Sequence, residues 1–594
     1  MYKRLLPVFM SLSFLLLLSC GVRKPYKSSQ PVTLTLEEYG GRSEKDFDNS
    51  PALRRLLQTS HRMAQEGKSV KISLKNGSYH FYPDSLPSYE LFISNHDHVK
   101  DRKVAFMFEG ITGGKVVVEG DGQTKLLFHG RQIPFVVKGC SGVVLQGFSI
   151  DDPRPALMQI EVLEMRDEDK SMLVRVPEET RFEVRENKIV LQGEDFEVTP
   201  FVAMPFEEDR RMVWGRADVA FNPAQIIRQS ERNLILKGWG EYPYASQHNR
   251  YVLRSYYRPA PGIVVMDSKN IELKDVVVHY AEGMGLIAQD TENISLDGFK
   301  VEVAQGSERY FTLQADATHF SGCRGYISSV NGLYEQMADD AINVHGTYLR
   351  VDSVLNASEV QASFAHGQSF GLRWYESGDS IRFIDRKTLL PVHTSKIQSF
   401  FPLSEGDQKR RMIAFEDPLP LDKIEGKQLA VENLSAYPTV LFSKNIVRNN
   451  RARGALFSTI KKVVCEENLF DHTHGSAILL CGDSNGWYES GPCEEVIISK
   501  NRFVNPLTGM YQFTNGIISV DPVIRELDSK DRYYHGRIVV EDNIFETFDS
   551  PLYYAKSVRE FVFRRNKVIP NNDYRPLFED TRSRRIHVGN VIEE

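Results

Sequence analysis

Three carboxylates stand where the chain otherwise reads as aliphatic strands: Asp316 in "QADATHFSG", and the pair Asp339–Asp340 in "YEQMADDAINVHG". Asp316 and Asp339 are 23 residues apart, a step that equals the chain's own repeat. Residues one repeat apart in a parallel stack lie about 4.8 Å from each other. Asp316 and Asp339 are therefore expected one above the other on the outer face, with Asp340 beside them. Like charges that close cannot all ionise comfortably, so at least one pKa should rise, leaving a protonated acid next to ionised neighbours. That is the equipment of general acid/base hydrolysis. Two other uses of clustered aspartates stay open: Ca²⁺ ligation and an exposed acidic turn. His319 and His345 flank the cluster and are candidate substrate contacts.

A second stretch has the chemistry of sugar binding. "GDSNGWYESG", residues 482–491, carries Asp483, Asn485, Trp487 and Glu489. Carboxylates and amides hydrogen-bond hydroxyls, and an aromatic face receives the C–H edge of a sugar ring. Trp374 and Glu376, in "RWYESGDSI", are candidates to reach over the same site. His472 and His474, in "DHTHG", have i,i+2 spacing on a turn, but no further ligands accompany them. They read as structural or sugar-contacting, and no metal site is expected.

What must position these residues is a repeat. An alternating apolar strand followed by Asn and another apolar residue recurs at Asn445, Asn468, Asn501, Asn543, Asn566 and Asn590, in steps of 23, 33, 42, 23 and 24. The longer steps are one coil with a loop bulging out. Asp275, Gly298 and Asn331 continue the register upstream, and Gly147 marks an earlier copy. A period near 23 with about three short strands per turn predicts an all-β, right-handed parallel β-helix. The recurrent asparagines should form an internal hydrogen-bonded ladder. Residues 48–63 have a cap-like Asp48-Asn49-Ser50, Pro51 and helical spacing of Leu53, Leu56, Leu57 and Met63. They resemble the capping helix of pectate-lyase-like proteins.

Two stretches, 153–260 and 348–437, lose the period and read as antiparallel β. They are expected as small β-barrel or sandwich modules inserted between coils. The cap and first coils then span 32–152, the central coils 261–347 and the C-terminal coils 438–594.

The chain has 41% hydrophobic and 26% charged residues, and a net charge of −6 without a long basic run argues against nucleic acid as partner. Lys3 and Arg4 precede a short apolar run ending in "LLSC". Residues 1–19 read as a lipoprotein signal, Cys20 as the lipidated first mature residue, and 20–31 as a tether. The protein is thus expected on the bacterial cell envelope, held at the membrane by lipid. Of the five remaining cysteines, Cys140, Cys323 and Cys465 sit in β-type patterns and read as buried thiols. Pairing of Cys481 with Cys493 stays open.

A lone Asp followed about one coil later by an Asp-Asp pair resembles the inverting polygalacturonases, although their "NTD" and "GHG" elements are absent. The closer match is glycoside hydrolase family 110, the bacterial α-1,3-galactosidases. The lipoprotein signal, the helix with two inserts, "QAD", "ADDAINVHG" and "NGWYESG" all fit along nearly the whole mature chain. The resemblance implies an exo-acting, inverting enzyme that needs neither metal nor cofactor. Its partner would be an oligosaccharide or glycoconjugate, from which it removes terminal α-1,3-linked galactose. Blood-group-B-type glycans, and for some members linear α-1,3-galactosyl structures, are the implied substrates. The resemblance carries the catalytic roles to Asp316, Asp339 and Asp340. By analogy with the polygalacturonases, Asp339 would be the general acid, with Asp316 and Asp340 holding the water. Gly486 before Trp487 departs slightly from the family's loop. A β-helical polysaccharide lyase, a polygalacturonase-like hydrolase and a non-catalytic glycan-binding lipoprotein are the alternatives; a lyase would need a Lys or Arg base and usually Ca²⁺.

Overall fold

A computed structural model describes residues 30–509, 515–527, 532–576, 585–588 and 591–593, the last two stretches for backbone alone. The signal segment, Cys20, most of the tether and Asn590 lie outside the described residues.

The chain winds into a parallel β-helix whose strands stack in three columns, two of them joined through Val116–Phe128 and Val143–Asp151 into one 22-stranded sheet. One long stack passes through Val70–Ser73, Val143–Asp151, Lys269–Lys274, Arg324–Val330, Thr439–Ser443 and on to Val558–Arg564. The site-bearing sheet stacks Leu286–Gln289, Thr318–Ser321, Ile342–Thr347, Ala455–Phe457 and Ile478–Leu480. Inward side chains fuse into one continuous core from Leu34 to Phe563. No single coil could enclose such a core, which is why the coils stack. Phe470, Phe503 and Phe545 pile on each other at centroid distances of 5.3 and 4.7 Å. Helix Ser50–Gln65 closes the N-terminal end, burying Ala52, Leu53, Leu56 and Ala64 against the first coils.

The asparagine ladder is present. The backbone N–H and side-chain amide of Asn445 both donate to Oδ1 of Asn468, at 2.9 and 3.2 Å. Asn468, Asn501 and Asn543 repeat the arrangement onto the next asparagine, ending at Asn566. Asn331 does not belong to it. The residue in register with Asn445 is Gly332, whose N–H donates to Asn445 Oδ1 at 2.8 Å. Asn331 lies one position earlier, with φ 58°, in the left-handed turn also occupied by Lys444, Glu467, Lys500, Asp542 and Arg565. Asn tolerates that conformation better than most residues, so it imitates a rung.

Both inserts loop out between coils that remain paired. Val143–Asp151 pairs directly with Lys269–Lys274 and Val277–Val278, and Arg324–Val330 directly with Thr439–Ser443. Between the first two, residues 158–254 form a seven-stranded antiparallel sheet with a three-stranded companion. In the second excursion, six strands from Leu349–Asn356 to Leu429–Asn433 close into a barrel. Each insert has its own core. Among the described residues no helix is long and apolar enough to cross a membrane. All five described cysteines are buried free thiols, Cys481 and Cys493 included.

Candidate active site

The register of the site-bearing sheet corrects the expected column. Thr318 pairs with Ile342, which sets Asp316 against Asp340 rather than Asp339. Ile342 pairs with Ala455 and Ala455 with Ile478, so the column continues through Arg453 and Ser476. The step across this coil is 24 residues, one more than the repeat of 23 that pointed to Asp339. Asp340 stacks on Asp316, and Asp339 stands beside them.

The three aspartates do converge. One oxygen of each lies within 4.8 Å of the others. They line a cavity of about 580 Å³, open mouth included. They are not on an exposed face: Asp316, Asp339 and Asp340 are 3%, 8% and 0% exposed. The inserts and loops enclose them. Arg258, just after the first insert's last strand Arg250–Arg254, donates to Asp339 Oδ2 at 3.1 Å. Asn95, from an N-terminal loop, donates to Glu489 at 3.1 Å. The same loop is tied to the barrel insert by Asn95 N–H to Gln368 O at 2.7 Å and by Ser369 Oγ to Asn95 Oδ1 at 2.8 Å. Segment 482–491 is bound to the barrel by Arg386, which donates to Ser484 O and to the Tyr488 hydroxyl, each at 2.9 Å.

The electrostatics separate the three carboxylates. Burial, and then the neighbouring charge of Asp339, pushes Asp316 well above the usual range. Burial also works to raise Asp339, but Arg453, Arg258, Arg451 and Arg254 outweigh it and hold Asp339 below the usual range. Burial lifts Asp340 as well, against the pull of Arg453. Both Asp340 oxygens accept from Arg453, from its backbone N–H at 2.9 Å and its guanidinium at 2.7 Å, the bonding pattern of an ionised carboxylate. Asp316 and Asp340 are thus both pushed up and Asp339 is held down, and the two contacts from Arg453 to Asp340 leave Asp316 as the carboxyl better placed to hold a proton. The positive charge that a cation would bring to this cluster is already supplied by the arginines.

The sugar-contact candidates divide. Asp483, Trp487 and Glu489 line the cavity. Asp483 shapes the loop by accepting the N–H groups of Asn485, Gly486 and Trp487 at 2.7, 3.0 and 2.8 Å. Trp487 is half-buried, with its ring 4.6 Å from that of His366. Asn485 is not in the wall; its amide donates to Arg386 O at 3.1 Å and ties the loop to the barrel. Trp374 is buried in the barrel core, donating from Nε1 to Thr347 O at 2.8 Å and stacking on Phe400. Glu376 pairs with Arg373 at 3.4 Å, outside the cavity wall. His319 and His345 are 0% and 2% exposed and lie behind the aspartates, so neither is positioned to touch substrate. His472 and His474 are also buried, and His474 Nδ1 bonds the Thr508 hydroxyl at 3.0 Å.

Several wall residues escaped sequence reasoning. Asn95, Arg258 and Asn343 line the cavity, and Asn343 Oδ1 is buried without a hydrogen-bond partner. The alternation of "DDAINVHG" was a signal for Asn343. Nothing local singles out Asn95 or Arg258, which arrive from distant segments.

Comparison with known proteins places the chain in a family. The family model "GLAA-B beta-barrel domain II" matches residues 359–426. "Alpha-1,3-galactosidase B" of Parabacteroides distasonis is 43% identical over 91% of this chain and 89% of its own. "Alpha-1,3-galactosidase B" of Phocaeicola vulgatus is 40% identical over 94% and 93%. "Alpha-1,3-galactosidase A" of Bacteroides fragilis is 30% identical over 84% and 81%. The chain belongs to glycoside hydrolase family 110, the bacterial α-1,3-galactosidases. It is accordingly a glycoside hydrolase with a glycan substrate, built on a parallel β-helix.

Proposed function

We propose that this enzyme removes terminal α-1,3-linked galactose from the non-reducing ends of glycans, branched blood-group-B-type structures first and linear ones as well. The carrying observation is the walled cavity that three carboxylates in unlike electrostatic settings share with Trp487 and Glu489. Walls from seven separate stretches of chain suit a chain end rather than a passing chain. Trp487 offers a ring face to the sugar, and Asn343 Oδ1 an acceptor for a hydroxyl.

The reaction we propose is a single inverting displacement. Asp316 gives its proton to the glycosidic oxygen as that bond to the anomeric carbon breaks. Asp339, kept ionised by arginine, takes a proton from a water, whose oxygen bonds the anomeric carbon from the opposite side. Asp340, fixed by Arg453, is the second acceptor that orients this water. The proton gained by Asp339 returns to Asp316 across the short gap between them, completing the cycle.

A second reading has one observation behind it. The nearest oxygens of the three carboxylates lie within 4.8 Å. That is closer to the separation of about 5–5.5 Å in retaining enzymes than to the about 6.5–9.5 Å of inverting ones. In a retaining enzyme one carboxylate would attack the anomeric carbon itself. Inversion is favoured here because a third carboxylate gives the water two acceptors, which a retaining pair does not require.

The test is incubation with a branched B-type oligosaccharide and with Galα1-3Gal, with and without chelator, followed by NMR. We expect release of β-galactose first, at a rate that chelator leaves unchanged. First-formed α-galactose would establish retention, and an unsaturated product would move the protein to the lyases.

We further propose that Cys20 is lipidated and anchors the enzyme to the cell envelope, supported by Lys3, Arg4 and the apolar run before "LLSC". Incorporation of labelled fatty acid should vanish in Cys20→Ala; label retained in that variant would refute the anchor.

A further inference from the structure

Behind Asp316 lies a line of three hydrogen bonds leading away from the cavity. Asp316 Oδ2 meets His319 Nδ1 at 2.6 Å. His319 Nε2 meets His345 Nε2 at 2.8 Å. His345 Nδ1 meets the carbonyl oxygen of Gly346 at 2.7 Å. All three side chains are buried, at 3%, 0% and 2% exposure.

The end of the line fixes its direction. A carbonyl can only accept, so His345 Nδ1 carries a hydrogen. If His345 is neutral, its Nε2 is bare, and His319 must donate from Nε2. A neutral His319 then has a bare Nδ1, and the contact at 2.6 Å needs a hydrogen from Asp316. Three bonds require three protons, one more than an ionised aspartate and two neutral imidazoles hold. Removing that proton sets two lone pairs face to face, at either 2.6 or 2.8 Å.

The extra proton has three possible addresses: Asp316, His319 or His345. On either ring it would make an imidazolium in a fully buried position. It would also leave Asp316 ionised beside Asp339 and above Asp340. Keeping it on Asp316 avoids both costs. Burial acts in the same sense, drawing His319 down to about 4 and lowering His345.

We infer that the His319–His345 pair is a positioning device that locks the proton onto Asp316, making it the acid of the free enzyme through a tautomer imposed by the Gly346 carbonyl. Neither histidine touches substrate; both act through Asp316. The inference rests on the galactosidase reading of the cavity. It also gives His345 a role that a packed core histidine would not have.

Other charged groups face this line. Asp316 feels Asp339, Arg258, Arg453 and Glu489. Glu489 Oε1 accepts from Asn95 and lies 3.5 Å from His345 Nε2, outside the usual hydrogen-bond range. His96 and His366 feel His319 and His345 respectively, and burial lowers the pKa of each. None of these supplies a hydrogen to His319 Nδ1 or an acceptor for His319 Nε2.

The test compares His345→Leu with His345→Gln. Leucine removes the acceptor for His319 Nε2–H, which frees His319 to adopt the other tautomer and donate to an ionised Asp316. Glutamine keeps an oxygen in reach of that N–H. In kcat/KM against pH, the alkaline limb should fall by at least about one unit in His345→Leu, stay near wild type in His345→Gln, and leave the acidic limb in place. A profile that merely drops in height, with both limbs unmoved, overturns the inference. A second readout needs no turnover. Infrared difference spectra at neutral pH should show a protonated carboxyl band in wild type that is lost in Asp316→Asn. No such band in wild type overturns the inference even if His345→Leu fails to fold. A wild-type protein with the band but without galactosidase activity would instead fault the proposed function.

Discussion

The molecule stacks like upon like in two regions, and the outcomes are opposite. In the C-terminal coils, Asn445 to Asn566 lie one above another, and each amide donates to the next. An amide carries both donor and acceptor, so the column satisfies itself and stays neutral. In the central coils, Asp316 lies on Asp340 in the same kind of register. Carboxylates bring only acceptors and charge. This column is tolerated because Arg453 continues it at 2.7 Å from Asp340, Arg258 reaches Asp339, and a proton stays on Asp316. The same backbone repeat that makes a self-sufficient ladder of amides makes a dependent cluster of acids. That dependence is what leaves the acids with different pKa values.

Turning the charged column into a neutral one should have the largest effect. Asp316→Asn and Asp339→Asn keep side-chain volume while removing, respectively, the proton donor and the base. Each should lose at least about a hundredfold in kcat, and the double variant should lose less than the product of the singles, because the groups act together. Circular dichroism should be unchanged. If Asp339→Asn kept near-normal turnover, the chemistry would lie elsewhere in the cavity, with Asp483 and Glu489 the first to examine.

A smaller change tests the arginine support. Asp339 is held below the usual carboxylate range by arginines, Arg258 among them, against the opposing effect of burial. The base works only when ionised, so kcat/KM fails on the acidic side as pH drops through that lowered pKa. Arg258→Gln weakens the hold, and the acidic limb should move upward, toward neutrality, by about one unit. The alkaline limb, set by Asp316, should move much less. An acidic limb that stays in place would show that Asp339 is not the base.

The contrast between the columns also explains what could be read in advance. The ladder was legible because its repeat is both compositional and periodic: an Asn at a fixed step can hardly do anything else. The fold followed from it, and so did the meeting of the three aspartates. The register failed by one residue because the step from Asp316 to the residue stacked on it is 24, one more than the repeat of 23. Asp340 rather than Asp339 therefore stacks on Asp316. The walls were illegible for a different reason. Arg258 and Asn95 come from the edge of an insert and from an N-terminal loop, brought in by tertiary packing that leaves no local period. Trp374 has the residue type of a sugar platform, but barrel closure turned it into the insert's core.

The least effect on catalysis, and the sharpest test of the neutral column, comes from Asn468→Ala. Asn468 Oδ1 accepts the buried backbone N–H of Asn445 at 2.9 Å, and its amide donates to Asn501 Oδ1 and to Phe442 O, each at 2.9 Å. Alanine removes that acceptor from a turn in which Asn445 and Asn468 are both buried. The amide of Asn445 keeps Ser329 O at 2.9 Å, so the loss falls on one backbone donor and on the two bonds Asn468 gave away. Leaving a buried donor unsatisfied costs about 1–3 kcal/mol. Denaturant unfolding should show a loss of that order, while kcat and both limbs of the pH profile stay at wild-type values. Asn468 lies two coils along the stack from Asp340, at a different turn of the coil, and its side chain bonds Asn445, Asn501 and Phe442 rather than the carboxylates. A loss of activity at full folding would mean that the two columns are mechanically coupled through the stack. Unchanged stability would mean that the ladder marks the register without holding it.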